Sequence, residues 1–212
     1  MSLNSPQIRK DIWTGVSGFT NILSLPTGYP QLDQCLPGGG WPLGALTEIL
    51  VENTAETPLW LITPALVALS HEQRWQAWVA PTGIPYAPAL ANAGINLSKM
   101  LLIHPPACND LLWTIEQSLG SNICSAVLSW PPRLCGTASR RLQLAAKRGR
   151  SWGLCFCSYN HAQYQTTAAL RLLFRPNRRG AEVTILKCRG GQPMKNLQLL
   201  REVSPPGLVD RP

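Results

Sequence analysis

The sequence predicts a three-layer α/β fold with a mostly parallel central sheet and a C-terminal β-hairpin. From residue 46 to residue 160, short apolar runs alternate with helical stretches, the order that feeds parallel strands through crossover helices. The run Ile123-Cys-Ser-Ala-Val-Leu-Ser-Trp130 is almost continuously apolar, as strands covered on both faces are. Beyond residue 169, two further strand-like runs are separated only by the turn Asn177-Arg-Arg-Gly180. At 212 residues, with 45% hydrophobic and 14% charged, the chain suits one globular domain with a sizeable core.

Residues 1–26 lack sustained periodicity and read as a flexible N-terminal arm. Trp13 is its distinctive side chain, either an anchor for a partner or a residue folded back on the domain. The domain is placed at 27–202, with a short tail at 203–212. Thr27-Gly28 and Gly38-Gly39-Gly40 bracket a short helix, Pro30 to Leu36, with Leu32 and Leu36 one turn apart. The glycine run precedes the strand Leu46–Leu50 instead of following it, the wrong side for a phosphate cradle, and is read as a tight loop returning into the sheet. Thr57 is read as a helix cap and Pro58 as the first helical residue, with the helix running to Ser70 past a kink at Pro64.

A second strand follows at Arg74–Pro81, then a helix within Pro85–Ile95 closed by Gly94, and a third strand at Lys99–Pro106. The helix Asn109–Gly120 puts Leu111, Leu112, Ile115 and Leu119 on one face. After the fourth strand, the helix Thr137–Arg150 sets Ala138, Leu142, Ala145 and Ala146 against a polar face of Arg140, Gln143, Lys147 and Arg150. Trp152–Asn160 is the fifth strand, and the hairpin occupies Ala169–Pro193.

Charge is split along the chain. Residues 1–132 hold 4 Lys/Arg against 8 Asp/Glu, a net of −4, and residues 133–212 hold 15 against 3, a net of +12. Such asymmetry points to an anionic partner for the basic half, or serves solubility alone. The 7 cysteines form no C-x-x-C pair, and the 3 histidines add no ligand spacing, so buried reduced thiols are expected rather than metal ligands or disulfides. No secretory signal and no membrane-length apolar run is present, which favours the cytoplasm.

The stretch Val51-Glu-Asn-Thr-Ala-Glu-Thr-Pro58 lies where a strand–loop–helix unit would hold phosphates. It has no Gly and no Lys, and it places Glu52 and Glu56 there instead. It is either a plain connector or an acidic patch for a protein partner. After the fifth strand, Tyr159, His161 and Tyr164 could stack on bases while Arg171, Arg175, Arg178 and Arg179 track phosphates. The same residues also fit a polar connector and a solvated basic hairpin. No catalytic constellation is apparent, so no enzyme activity, cofactor or metal is expected.

Leu25-Pro-Thr-Gly-Tyr-Pro-Gln-Leu-Asp-Gln-Cys-Leu-Pro-Gly-Gly-Gly-Trp-Pro-Leu-Gly-Ala-Leu-Thr-Glu-Ile-Leu50, with the α/β order after it, resembles ImuA, the RecA-like accessory protein of bacterial mutagenesis cassettes. Arg74–Pro81 and Ser151–Ser158 also resemble SulA, the cell-division inhibitor of the SOS response. The resemblance implies a RecA-like core with a degenerate phosphate-binding loop. Val51 and Glu56 then stand at the two loop glycines, Thr57 at the Lys and Pro58 at the Mg²⁺-binding Thr. Ala80-Pro81-Thr82 replaces the catalytic Glu, and Ser129 stands near the Mg²⁺-associated Asp. The function implied is that of a non-catalytic adaptor in SOS-induced translesion synthesis. Its partners would be an ImuB-like polymerase homologue and an error-prone DNA polymerase III alpha-type subunit, with RecA and weak single-stranded DNA binding as further candidates. The alternative is a SulA-type inhibitor that binds FtsZ.

Overall fold

The computed structural model describes residues 23–201. Most of the expected arm, including Trp13, and the expected tail at 203–212 lie outside the described residues. Ser24 and Leu25, assigned above to the arm, already form a strand, β1 (Ser24–Leu25), which pairs antiparallel with β2 (Trp41–Pro42). Between them sits the short helix α1 (Pro30–Asp33), whose Leu32 is buried together with Leu36. Glycine is required in this loop. Gly38 and Gly39 adopt φ of 86° and 72°, and a Cβ on Gly40 would lie 2.1 Å from the Leu25 carbonyl oxygen. The run does return the chain into the domain.

The alternating core follows as β3 (Leu46–Val51), α2 (Leu59–Ser70), β4 (Trp75–Val79), α3 (Ala87–Asn92), β5 (Met100–Ile103), α4 (Cys108–Gly120), β6 (Cys124–Ser129), α5 (Gly136–Gly149) and β7 (Trp152–Ser158). A 3-10 turn at Tyr159–Gln163 leads into β8 (Leu170–Asn177), β9 (Gly180–Cys188) and β10 (Met194–Leu200). One 8-stranded sheet results, in the order β10-β9-β8-β3-β7-β6-β4-β5. Every neighbouring pair from β8 to β5 is parallel, and β9 and β10 are antiparallel additions.

Both faces of the sheet are covered. Leu61, Ile62, Leu66 and Leu69 of α2, with Leu90 of α3, pack on Ile49, Trp78, Leu128, Trp152 and Phe156. On the opposite face, Ile115 and Leu119 of α4 and Leu142, Ala145 and Ala146 of α5 pack on Leu46, Leu50, Val79 and Val127. Cys155 and Cys157 lie inside this second layer. Burial pushes the Cys155 thiol up to about 12 and holds Cys157 well above its ordinary value, so both stay as neutral hydrophobes.

Several expectations need correction. Thr57 does not cap α2: the helix begins at Leu59 with Pro58 at the cap position, and no side chain bonds there. Gln143 belongs to the inner face of α5, where its Oε1 accepts a hydrogen bond from the Leu46 amide at 3.1 Å. That bond outweighs the side chain's preference for water. Leu112 is only half-buried. The second antiparallel addition, β10, escaped the pattern reading because its register shifts between Met194 and Leu197, where Asn196 takes a φ of 60°. The bulge breaks the alternation by which a strand is recognised.

Candidate functional site

Because the six strands from β8 to β5 are parallel, their carboxyl ends share one edge of the sheet. This edge gathers part of the expected set. Val51 pairs with Ser158 and Leu50 with Leu173, so Glu52 leaves β3 level with Tyr159 on one side and Arg175 on the other. The Arg175 guanidinium reaches across the end of β3 to within 5.8 Å of the Tyr159 ring centroid, and it also lies 3.8 Å from Glu182. Arg178 and Arg179 are exposed at the β8–β9 turn just beyond. Acidic, aromatic and basic groups thus share a few neighbouring turns of chain.

The 52–58 loop is folded on itself. Asn53 Nδ2 donates to Glu56 Oε1 at 3.1 Å, and Asn53 Oδ1 accepts from the Ala55 amide at 3.0 Å. The Thr57 hydroxyl donates to the Thr54 carbonyl at 3.0 Å and accepts from Trp130 Nε1 at 2.7 Å. Thr82 Oγ1, from the turn after β4, donates to the same Thr54 carbonyl at 3.2 Å. Glu52 and Glu56 remain exposed. With these hydroxyls and amides engaged inside the loop, its outward surface is chiefly carboxylate.

Arg171 is not on the surface, and its expected part in tracking phosphates fails. Its side chain is buried on β8, and its Nε donates to Glu48 Oε2 at 2.7 Å; Glu48, on β3, is buried as well. Nη1 of Arg171 donates to the carbonyls of Ala162 at 3.2 Å and Tyr164 at 2.8 Å. Glu48 Oε1 accepts from Thr166 Oγ1 and from Ser139 Oγ of α5. Lys187 Nζ donates to the Thr166 carbonyl at 2.6 Å, and Arg189 Nη2 to the Thr167 carbonyl at 3.1 Å. A share of the basic half is therefore spent holding residues 162–167 in place. A charge enclosed on two strands has no remaining hydration, so its hydrogen bonds must come from the protein.

Tyr164 of this segment is exposed, and its ring lies 5.4 Å from that of the buried His161 just before it. His161 Nδ1 has no hydrogen-bond partner among the described residues. Burial lowers the His161 pKa from its ordinary 6.5, and the Arg171 charge lowers it further. The folded protein therefore resists a proton that the unfolded chain takes up. Stability from this group is complete above pH 6.5 and is lost as pH falls through 6.5 toward the lower folded value. Urea denaturation at pH 7.5 and pH 5.5 should show a drop in midpoint that His161→Phe reduces. An equal drop in the variant assigns the acid sensitivity to other groups.

Arg140, Lys147 and Arg150 are exposed on or beside α5 but do not join the edge as a group. The helix runs back across the sheet, so ten residues separate Arg140 from Arg150 by about 15 Å. Arg150 caps the helix in a left-handed conformation, with φ of 49°, and its carbonyl accepts from Arg74 Nη2 at 2.9 Å, at the amino edge of β4. The residues missed from sequence are Glu48, Ser139 and Thr166. One signal was available: Glu48 is a lone carboxylate in an otherwise uncharged strand, Leu46–Val51.

The family model for the cell division inhibitor SulA matches residues 44–153, the segment from just before β3 to the start of β7. The chain belongs to the SulA family. Among curated SulA relatives, the cell division inhibitor of Edwardsiella piscicida is 33% identical over 94 residues, 44% of this chain and 56% of that protein. The SulA relationship extends to ImuA. Protein ImuA of Caulobacter vibrioides (strain NA1000 / CB15N) is 29% identical over 140 residues, 64% of this chain and 57% of that protein. The crystal structure of SulA from Pseudomonas aeruginosa aligns with a TM-score of 0.46 at 26% identity, covering 53% of this chain and 97% of that one. The chain thus spans little more than half the length of these two curated relatives, the Edwardsiella SulA and the Caulobacter ImuA. No helix among the described residues is long and apolar enough to cross a membrane.

Proposed function

We propose that this protein is a non-catalytic adaptor in SOS-induced error-prone translesion synthesis, with an ImuB-like polymerase homologue as its direct partner. The observation that carries the reading is the length of the ImuA likeness: 140 residues, against 94 for the SulA of Edwardsiella piscicida. Outside the SulA-matching segment lie the β1–β2 lead-in and the β8–β10 ribbon, which add exposed surface to the sheet core.

The core itself is read as RecA-type, with its phosphate loop converted to other use. Thr57, at the Lys position of such a loop, gives its hydroxyl to Thr54 and Trp130. Ser129, near the metal-associated carboxylate position, is buried and donates to the Leu154 carbonyl at 3.3 Å. Neither can neutralise a phosphate or polarise a water. Glu52 and the basic hairpin tip offer a surface of mixed charge to a protein partner.

The SulA-family match supports a second reading, a division inhibitor that binds FtsZ. A pull-down with the full chain against both candidates, paired with a GTP-dependent FtsZ polymerisation assay, separates the two. The adaptor reading expects capture of the polymerase homologue and normal polymerisation. Suppressed polymerisation near stoichiometric ratios, without capture of the polymerase homologue, reverses the ranking.

A further inference from the structure

The cations of the basic half are not all committed to the fold. Between residues 133 and 181 the chain carries 10 Lys/Arg and no carboxylate. Arg171 is paired with Glu48, Arg175 approaches Glu182, and Arg141 of α5 binds Glu116 of α4. Arg140 and Lys147 of α5 are uncommitted: both are exposed, and neither makes a hydrogen bond or ion pair among the described residues.

Helical geometry puts these two on one side of α5. At about 3.6 residues per turn, positions seven apart lie about 20° apart round the axis and about 10 Å apart along it. Arg141 and Arg148 turn the other way, toward α4, where the Arg148 guanidinium lies over Gly120. The side that carries Arg140 adjoins residues 164–167 instead. Ser139 Oγ and Thr166 Oγ1 share a hydrogen bond at 2.9 Å, and a Cβ on Gly136 would lie 3.5 Å from the Gln165 carbonyl oxygen. Tyr164 therefore stands beside the first turn of α5, 47% exposed, with its carbonyl held by Arg171 Nη1. Arg133 is exposed just before the helix begins.

We propose that this side of α5, with Tyr164 at its end, is a binding surface for single-stranded nucleic acid: Arg140, Lys147 and Arg133 meet phosphates, and the Tyr164 ring stacks on a base. Charge complementarity identifies the occupant. Residues 159–169 bring no carboxylate to the cations. Of the two on α4, Asp110 and Glu116, the second is already taken by Arg141. The hairpin tip is mixed by comparison, since Arg175, Arg178 and Arg179 share their edge with Glu52, Glu56 and Glu182. Phosphates are drawn to a surface of one sign, and an exposed aromatic beside it takes unpaired bases whatever their sequence. A duplex would hide its bases from the ring. The inference stands apart from the choice between adaptor and division inhibitor, since neither the polymerase homologue nor FtsZ enters it.

Fluorescence anisotropy of the full chain with a labelled oligothymidylate of about 20 nucleotides tests it. Binding is expected at about 50 mM salt, with affinity falling steeply toward about 200 mM as counterions are released. Arg140→Gln with Lys147→Gln should weaken binding at least about tenfold at the lower salt. The same change should flatten the log–log salt slope by about 1.4, the share of two phosphate contacts on a single strand. Tyr164→Ala should lose at least about fivefold with the slope unchanged, the signature of a lost stacking contact, and Tyr164→Phe should bind as the unmodified chain does. All three side chains are exposed, and urea midpoints measured alongside verify that the variants fold. No binding at the lower salt overturns the proposal and hands this face to an acidic protein surface. A duplex bound more tightly than the single strand, or an equal loss from Arg178→Gln with Arg179→Gln, overturns it as well.

Discussion

Replacing Glu48 by Ala is expected to destabilise the domain by about 3–5 kcal/mol, because the change leaves the Arg171 guanidinium buried without its counter-charge. Glu48 and Arg171 side chains are 1% and 6% exposed, and their contact is 2.7 Å. Water cannot reach the orphaned cation unless the 162–167 segment opens. Thr166 and Ser139 would lose their shared acceptor in the same step. Arg171→Ala should cost a similar amount and also release the Ala162 and Tyr164 carbonyls. The double change Glu48→Leu with Arg171→Met should recover most of the loss, since no uncompensated charge remains. Urea midpoints at pH 7 measure all three. A cost for Glu48→Ala below about 1 kcal/mol would mean the site hydrates freely and the segment is not held by this pair.

Trp152→Ala should cost about 3–5 kcal/mol, the range for deleting a large aromatic from a packed core. The Trp152 side chain is 0% exposed, and its ring lies 5.4 Å from that of Trp41 in β2. Its Nε1 donates to Thr47 Oγ1 at 3.2 Å. The residue therefore couples the lead-in segment to the sheet. Removing it should loosen residues 24–42 as well as lower global stability. Hydrogen exchange should show faster opening in that segment than a uniform loss of stability produces. Uniform acceleration across the domain would mean the lead-in is anchored elsewhere.

The sheet core was legible because its signals are local. Continuous apolar strands, and a helix closed by the left-handed Gly94, declare themselves within a dozen residues; Gly120 does not close its helix, since it is still helical and the left-handed turn falls on Asn122. The basic half was harder to read, because a charge run looks the same whether it faces water or a buried carboxylate. Arg171 and Arg175 are four residues apart on one strand, yet the first is buried against Glu48 and the second reaches over Tyr159. Position along the pairing decides this: Arg171 lies directly opposite Glu48, whereas Arg175 lies past the carboxyl end of β3, and that placement follows from long-range pairing that no local window contains. Gln143 was misplaced for a related reason: helical periodicity gave its angle on α5, but not that the Leu46 amide needed an acceptor there. The strand β10 was hidden by its own bulge.

Isothermal calorimetry with Mg·ATP tests most directly whether this protein works by binding partners without a nucleotide. The 52–58 loop presents Glu52 and Glu56 to solvent and commits the Thr57 hydroxyl to Thr54 and Trp130. Like charges about 4 Å apart repel by roughly 1 kcal/mol even in bulk water, and more where water is excluded. Phosphates brought to this loop should therefore be repelled. The expected result is no saturable heat at nucleotide concentrations up to about 1 mM, with or without Mg²⁺. Saturable binding tighter than about 100 μM, abolished by substitution within residues 52–58, would contradict a non-nucleotide role for the loop and return the protein to the nucleotide-binding class.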